Sequence, residues 1–223
     1  MLPAQNVVEQ RRTTPHAVSQ TLLLTVTEDA TLGVAGSVWD GGKELACELV
    51  DAARIGNCAG QRVIELGAGP GIAGIAAACN GAQVVVTDLD FCVELMKENI
   101  GHNQALINQS GGSAKAMALD WNDPVPASIC DRPFDFVLGA DVSYNLEFAL
   151  PLLNTIRSLT RAGSNVVFAH KPRNAFAGKA GALDAAGDFP FLAEAGWSKT
   201  LELLQRIDTS WPGLYLYHFR VRQ

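Results

Sequence analysis

The chain is short of the features that most quickly classify a protein. Its 223 residues include five cysteines, at 47, 58, 79, 92 and 130, and no two stand at Cys-x-x-Cys spacing. An odd count and wide spacing speak against a disulfide framework or a zinc site. The expectation is small buried hydrophobes in a reducing compartment, cytoplasmic or nuclear. The four histidines, at 16, 102, 170 and 218, show no metal-ligand spacing, so no metal is expected. Positive charge is in the minority: 17 Lys and Arg face 23 Asp and Glu, for a net charge of −6. A general coat for phosphate backbones is therefore excluded and no nucleic-acid partner is expected, although a local basic patch stays open. No uncharged apolar run reaches the ~20 residues that cross a bilayer, so no membrane partner is expected. Repeats and low-complexity tracts are missing as well.

What is present is core. Hydrophobic residues make up 48% and charged residues 18%, enough for one domain of ordinary size and too apolar for general disorder. Residues 1–20 are polar, with two arginines and two prolines, and lack the apolar centre of a secretory signal. A mitochondrial presequence would suit the arginines, but Glu9 interrupts and no amphipathic helix is evident; a flexible tail is expected. Residues 21–223 then read as one domain, with an N-terminal strand and helix extension (21–58) before the core (59–223). Apolar and β-branched runs predict strands over 21–27, 62–66, 83–87, 114–119, 134–139, 165–169, 201–207 and 214–221. Helical spacing predicts helices over 43–54, 72–79, 91–106, 146–159 and 176–195. Alternation of near-continuous apolar strands with helices means a mostly parallel, doubly wound, Rossmann-like sheet. The last two strands are joined by a short turn around Trp211-Pro212-Gly213, which leaves no room for a crossover helix, so they should form an antiparallel hairpin.

The segment from Val63 to Gly74, VIELGAGPGIAG, follows a strand and opens a helix. Gly69, Gly71 and Gly74 satisfy the dinucleotide fingerprint Gly-x-Gly-x-x-Gly, and a ligand-free tight turn would give the same glycines. Two carboxylates favour another ligand. Glu65 sits two residues before Gly67, where its charge repels a diphosphate and suits an ammonium, reached directly or through water. Asp88 ends the next strand, about twenty residues on, where a carboxylate accepts from ribose hydroxyls. An adenosine with a cationic amino-acid arm meets both conditions, and S-adenosylmethionine has that chemistry. A dinucleotide dehydrogenase is the weaker reading.

Five segments occur in order: Gly36-Ser-Val-Trp-Asp40, Val63 to Gly71, Thr87-Asp88, Asp120-Trp121 and Gly139-Ala-Asp-Val-Ser-Tyr144. In these the chain resembles the seven-β-strand methyltransferases, specifically the methyltransferase-like 21 group of protein-lysine methyltransferases, from about residue 21 to residue 221. The glycine segment is common to the superfamily; Val-Trp-Asp combined with Asp-x-x-Tyr is specific to the group. The resemblance implies a seven-stranded sheet and S-adenosylmethionine as cofactor. It implies that Trp39 contacts the cofactor, that Gly67, Ala68 and Gly69 cradle its methionine arm, and that Asp88 binds the ribose. Asp120 and Trp121 would hold the adenine, Ala140 would line the cofactor, and Asp141 and Tyr144 would face the reacting group. Pro70 stands where related sequences often carry Thr.

Each assignment has a structural alternative. Trp39 and Trp121 could be core aromatics, Asp88 and Asp141 could cap the helices that follow them, and Tyr144 could simply pack. The segment His170-Lys-Pro-Arg173, at the ligand-bearing end of the sheet, is expected to be a solvated loop, with substrate contact as the alternative. The function implied is methylation of a lysine in a protein substrate by a monomeric, cytoplasmic enzyme. A small-molecule or other N-methyltransferase, or a non-catalytic cofactor-binding module, is the alternative.

Overall fold

The computed structural model of the chain describes residues 10–171, residue 191 and residues 196–223. A two-stranded antiparallel hairpin comes first, β1 (Arg11–Ala17) with β2 (Leu23–Asp29), followed by a 3-10 segment (Ala30–Gly36) and α1 (Asp40–Asp51). The alternating core runs β3 (Arg62–Leu66), α2 (Ile72–Cys79), β4 (Gln83–Asp88), α3 (Val93–Gln109), β5 (Ser113–Ala118), β6 (Phe136–Ala140), α4 (Ala149–Leu159) and β7 (Asn165–His170). It closes with β8 (Leu201–Asp208) and β9 (Tyr215–Val221). Sheet order is β5-β4-β3-β6-β7-β9-β8. The first five strands are parallel, and β9 lies antiparallel between β7 and β8. The expected seven-stranded Rossmann-like sheet with a final antiparallel hairpin is therefore what forms.

The central strands are apolar on both faces because both faces are covered. Val63, Val86, Leu138 and Val167 pack with α1, α2 and α3, while Ile64, Val137, Val166 and Phe168 pack with α4 and Trp197. Helix α2, IAGIAAAC, is built of small residues and sits close to the sheet: a Cβ at Gly74 would lie 2.6 Å from Val86 Cγ1.

Three expectations are corrected. The flexible tail expected over residues 1–20 includes strand β1, whose side chains alternate weakly because this strand of the hairpin is mostly exposed. Helix α1 begins three residues before the apolar pattern does, since its first turn is Asp-Gly-Gly. It stops at Ala52, whose left-handed backbone (φ 54°) turns its N–H onto Glu48 O. The predicted helix over 146–159 is a 3-10 turn, Leu146–Phe148, running into α4. The helix expected over 176–195 lies, apart from Phe191, outside the described residues.

Helix α3 supplies the missing neighbour of β2. Asn99 and Asn103, one turn apart on its buried face, hold out their amides as a strand would. Asn99 Oδ1 accepts from Thr27 N at 2.7 Å and its Nδ2 donates to Thr27 O at 3.0 Å; Asn103 does the same for Thr25. Asn99 Nδ2 also donates to Pro70 O at 2.9 Å, so one side chain joins the N-terminal hairpin to the glycine loop. Replacing Asn99 by Leu leaves the Thr27 N–H and C=O unsatisfied in a buried place. The expected cost is about 2–4 kcal/mol, read as a lower midpoint in urea unfolding; an unchanged midpoint would contradict the bridging role.

Candidate active site

Strand order reverses between β3 and β6: from β3 the chain moves outward one way through β4 and β5, then returns to start β6 on the other side. Ligands of such sheets bind outside the carboxyl ends of the strands at that switch point. A cavity of about 350 Å³ opens there, within the size range of small-molecule sites. All eleven residues singled out from the sequence line it: Trp39, Glu65, Gly67, Ala68, Gly69, Asp88, Asp120, Trp121, Ala140, Asp141 and Tyr144.

The floor is the turn after β3. Gly67 (φ 62°) and Gly69 (φ 53°) are in left-handed conformations, which glycine adopts at no steric cost. A Cβ on Gly67 would lie 2.9 Å from Val142 Cγ1, and one on Gly69 would lie 2.9 Å from Ala35 O, so the bare backbone is also needed for space. Asp88 ties the loop down: Oδ2 accepts from Gly69 N and Oδ1 from Leu89 N, both at 2.7 Å. Burial raises its pKa, opposed by those two N–H donors. A carboxylate has about four lone-pair positions, so hydroxyls of a ligand still find acceptors. Asp88 thus organises the glycine loop and does not cap the following helix.

Glu65 is buried at the floor, and its Oε2 accepts from Gly74 N at 2.7 Å in the first turn of α2. Gly74 has no Cβ, which would stand 2.7 Å from that oxygen. Burial pushes the Glu65 pKa up to about 8; the Gly74 N–H lowers it and the Asp88 charge adds to the rise. A helix N-terminus is where dinucleotide folds seat a phosphate. Here the protein's own carboxyl group takes that place.

Asp120 and Trp121 follow β5. Asp120 Oδ1 accepts from Asn122 N and Nδ2, each at 2.9 Å, and the Trp121 ring meets Phe148 edge-on at 6.0 Å between centroids. Trp39 is exposed at 42% and its Nε1 donates to Val34 O at 2.9 Å, so neither tryptophan is a closed core aromatic. Asp141 follows β6 with φ 55°, one of two non-glycine residues in the left-handed region among those described. Its carboxylate lies against the first turn of α1, where a Cβ on Gly41 would run into Oδ2. It does not cap the next helix; Asn145 does, accepting from Glu147 N at 3.1 Å. Tyr144 stands at the rim, 45% exposed, edge-on to Phe148 at 5.7 Å. His170 is fully buried, contrary to the solvated loop expected; Lys171 is half exposed with its Nζ 3.9 Å from Asp40 Oδ2. The remaining half of that segment lies outside the described residues.

Sequence reasoning missed one wall. The 3-10 segment Ala30–Gly36 crosses the glycine loop and contributes Leu32, Val34 and Ala35, and Phe91 and Phe148 add apolar surface. The usable signal was Asp29-x-Thr31, a capping pair whose Oδ1 accepts from Thr31 N at 3.0 Å, followed by Gly33 at φ 61°. Among the described residues no cluster of His, Cys, Asp or Glu is placed to hold a metal ion, and no helix is long and apolar enough to cross a membrane.

Comparison with known proteins agrees with this geometry. A family model described as lysine methyltransferase matches residues 18–179. The chain belongs to that lysine methyltransferase family. It is 38% identical over 143 residues to EEF1A lysine methyltransferase 3 of Mus musculus, covering 64% of this chain and 58% of that protein. It is 35% identical over 142 residues to protein N-lysine methyltransferase METTL21A of Xenopus tropicalis, covering 64% of this chain and 63% of that one. The match thus spans less than two thirds of either relative. Among solved structures, the magnesium protoporphyrin IX methyltransferase of Synechocystis PCC 6803 with bound SAH shares the fold at TM-score 0.55 and 18% identity, over 82% of this chain and 81% of that one. The 16S rRNA N2 G1207 methyltransferase of T. thermophilus does so at TM-score 0.59 and 17% identity, over 99% of this chain and 53% of that one.

The buried carboxyl group makes stability depend on pH. Glu65 is neutral in the folded protein up to about pH 8 and ionised in the unfolded chain above about 4.5. Its contribution is full below pH 4.5 and is lost as pH rises towards 8, at about 1.4 kcal/mol per unit at most. Glu65→Gln removes the titration. The stability of this variant relative to wild type should therefore climb between pH 4.5 and 8 in parallel urea titrations, then level off. A difference constant across that range would place the Glu65 pKa at its ordinary value.

Proposed function

We propose that this chain methylates the ε-amino group of a lysine in a protein substrate, using S-adenosylmethionine. The observation that carries the cofactor choice is the Glu65 carboxyl group bonded to Gly74 N–H. It fills the anion position at the start of α2, so a diphosphate has no seat there. The same carboxyl group is positioned for a cationic arm, directly or through water, and the positive charge of that arm favours its ionised form. The other residues fit the same molecule: bare backbone at Gly67, Ala68 and Gly69 for the methionine arm, Asp88 for the ribose, and Asp120 with the Trp121 ring for the adenine. Trp39 and Ala140 complete the walls.

The cofactor, when bound, supplies a methyl group already activated on a sulfonium. What remains for the protein is to bring the amine into line behind that methyl and keep water out. A lysine has a reference pKa of about 10.4, so roughly one in a thousand is neutral near pH 7.4. Asp141, at the mouth beside α1, captures the ammonium by charge and sets its direction. A nearby carboxylate favours the protonated amine, so Asp141 is assigned capture and orientation, and the proton leaves to water along the open rim. Tyr144, on the same loop, shapes the entry for the aliphatic stem. Family membership supports a lysine as the acceptor. The five free thiols support a cytoplasmic, reducing compartment, and a monomer is part of the proposal.

The test is mass spectrometry of a cell lysate after treatment with the purified protein and deuterated-methyl S-adenosylmethionine. Label on protein lysines is expected. Asp141→Ala should lower it at least a hundredfold while keeping affinity for S-adenosylhomocysteine within about threefold. Label confined to small molecules would contradict the protein substrate, and full activity of the folded variant would contradict the role of Asp141.

A further inference from the structure

The loop that carries Asp141 and Tyr144 has a second, hidden anchor. Ser143 is completely buried, does not line the cavity, and places Oγ 2.7 Å from His170 Nδ1. His170 ends β7 and is itself 1% exposed, with its ring 6.4 Å from that of Tyr217. One residue earlier on β7, Ala169 O accepts from Asp141 N at 2.9 Å. Two consecutive residues of β7 therefore grip the two residues that bracket Val142, whose side chain meets the space beside Gly67.

The grip matters because of the backbone it holds. Asp141 sits at φ 55°, a region costly for a residue with a side chain and maintained only where surrounding contacts over-determine it. The main-chain hydrogen bond and the packing of the carboxylate against α1 fix the loop at Asp141. The side-chain bond fixes it a second time two residues on, and Tyr144 follows directly.

We infer that the Ser143–His170 pair is a positioning device for methyl transfer: it locks the Asp-Val-Ser-Tyr loop so that Asp141 and Tyr144 meet the incoming lysine at a fixed distance from the methyl donor. Neither side chain touches substrate. The inference rests on the function proposed for Asp141, and the experiment separates the two.

Initial rates of methylation of lysate protein are measured at saturating S-adenosylmethionine, well below the unfolding midpoint, together with the dissociation constant of S-adenosylhomocysteine. Ser143→Ala and His170→Leu should each lower the rate tenfold or more, with the dissociation constant within about twofold of wild type. The double variant should be no slower than the slower single one, because both remove the same bond. His170→Asn, which keeps a polar atom near the position of Nδ1, should recover most of the rate. Wild-type rates in folded Ser143→Ala, or a loss matched by weaker S-adenosylhomocysteine binding, would overturn the inference. Should Ser143→Ala fail to fold, equal rates for His170→Asn and His170→Leu would overturn it instead. If Asp141→Ala is inactive while Ser143→Ala is not, this inference alone falls; if Asp141→Ala is fully active, both fall.

Discussion

The site depends on a carboxyl group placed where this fold elsewhere puts a phosphate. Glu65 ends β3 and accepts from Gly74 N–H in the first turn of α2. That contact needs a glycine at 74, because a Cβ would stand 2.7 Å from the oxygen and 2.6 Å from Val86 Cγ1. It needs small residues along α2 so that the helix approaches the sheet. It also decides which ligands fit: the partial positive charge of the helix start is used within the protein, and the neighbouring space is left for a ligand bearing its own cation.

The rest of the molecule frames that space. Asp88 closes the glycine loop against β4. Asn99 ties the loop, through Pro70 O, to the N-terminal hairpin, and the hairpin leads into the 3-10 segment that forms one wall. The extension before β3 is thus part of the site. Opposite it, the end of β6 turns sharply at Asp141, and the first turn of α1 carries Gly41, where any side chain would displace that carboxylate. Strand ends, helix starts and the hairpin converge on one cavity, so damage to a bridging amide such as Asn99 reaches the cofactor loop.

Much of this was legible before any coordinates. Unbroken apolar strands such as Val84-Val85-Val86 announce a sheet covered on both faces, and the 62–66 strand and 72–79 helix come out to the residue. The glycines and the carboxylates at strand ends are legible because close backbone approach and charge restrict the residue types. Strand β1 was not: its alternation is blurred because the strand is mostly exposed, and the strand it pairs with, β2, is held on its other edge by asparagines more than seventy residues away. The wall from Ala30 to Gly36 hid for a similar cause, since a 3-10 segment has no hydrophobic period to read. His170 looked like part of a polar loop because its neighbours in sequence are charged, whereas its partner, Ser143, comes from another strand end.

The most direct measurement is calorimetric titration of the full chain with S-adenosylhomocysteine and, separately, with NAD. A cavity whose anion seat is held by Glu65 should bind S-adenosylhomocysteine with one-to-one stoichiometry and give no heat with NAD. Binding of NAD without S-adenosylhomocysteine would contradict the account at its base.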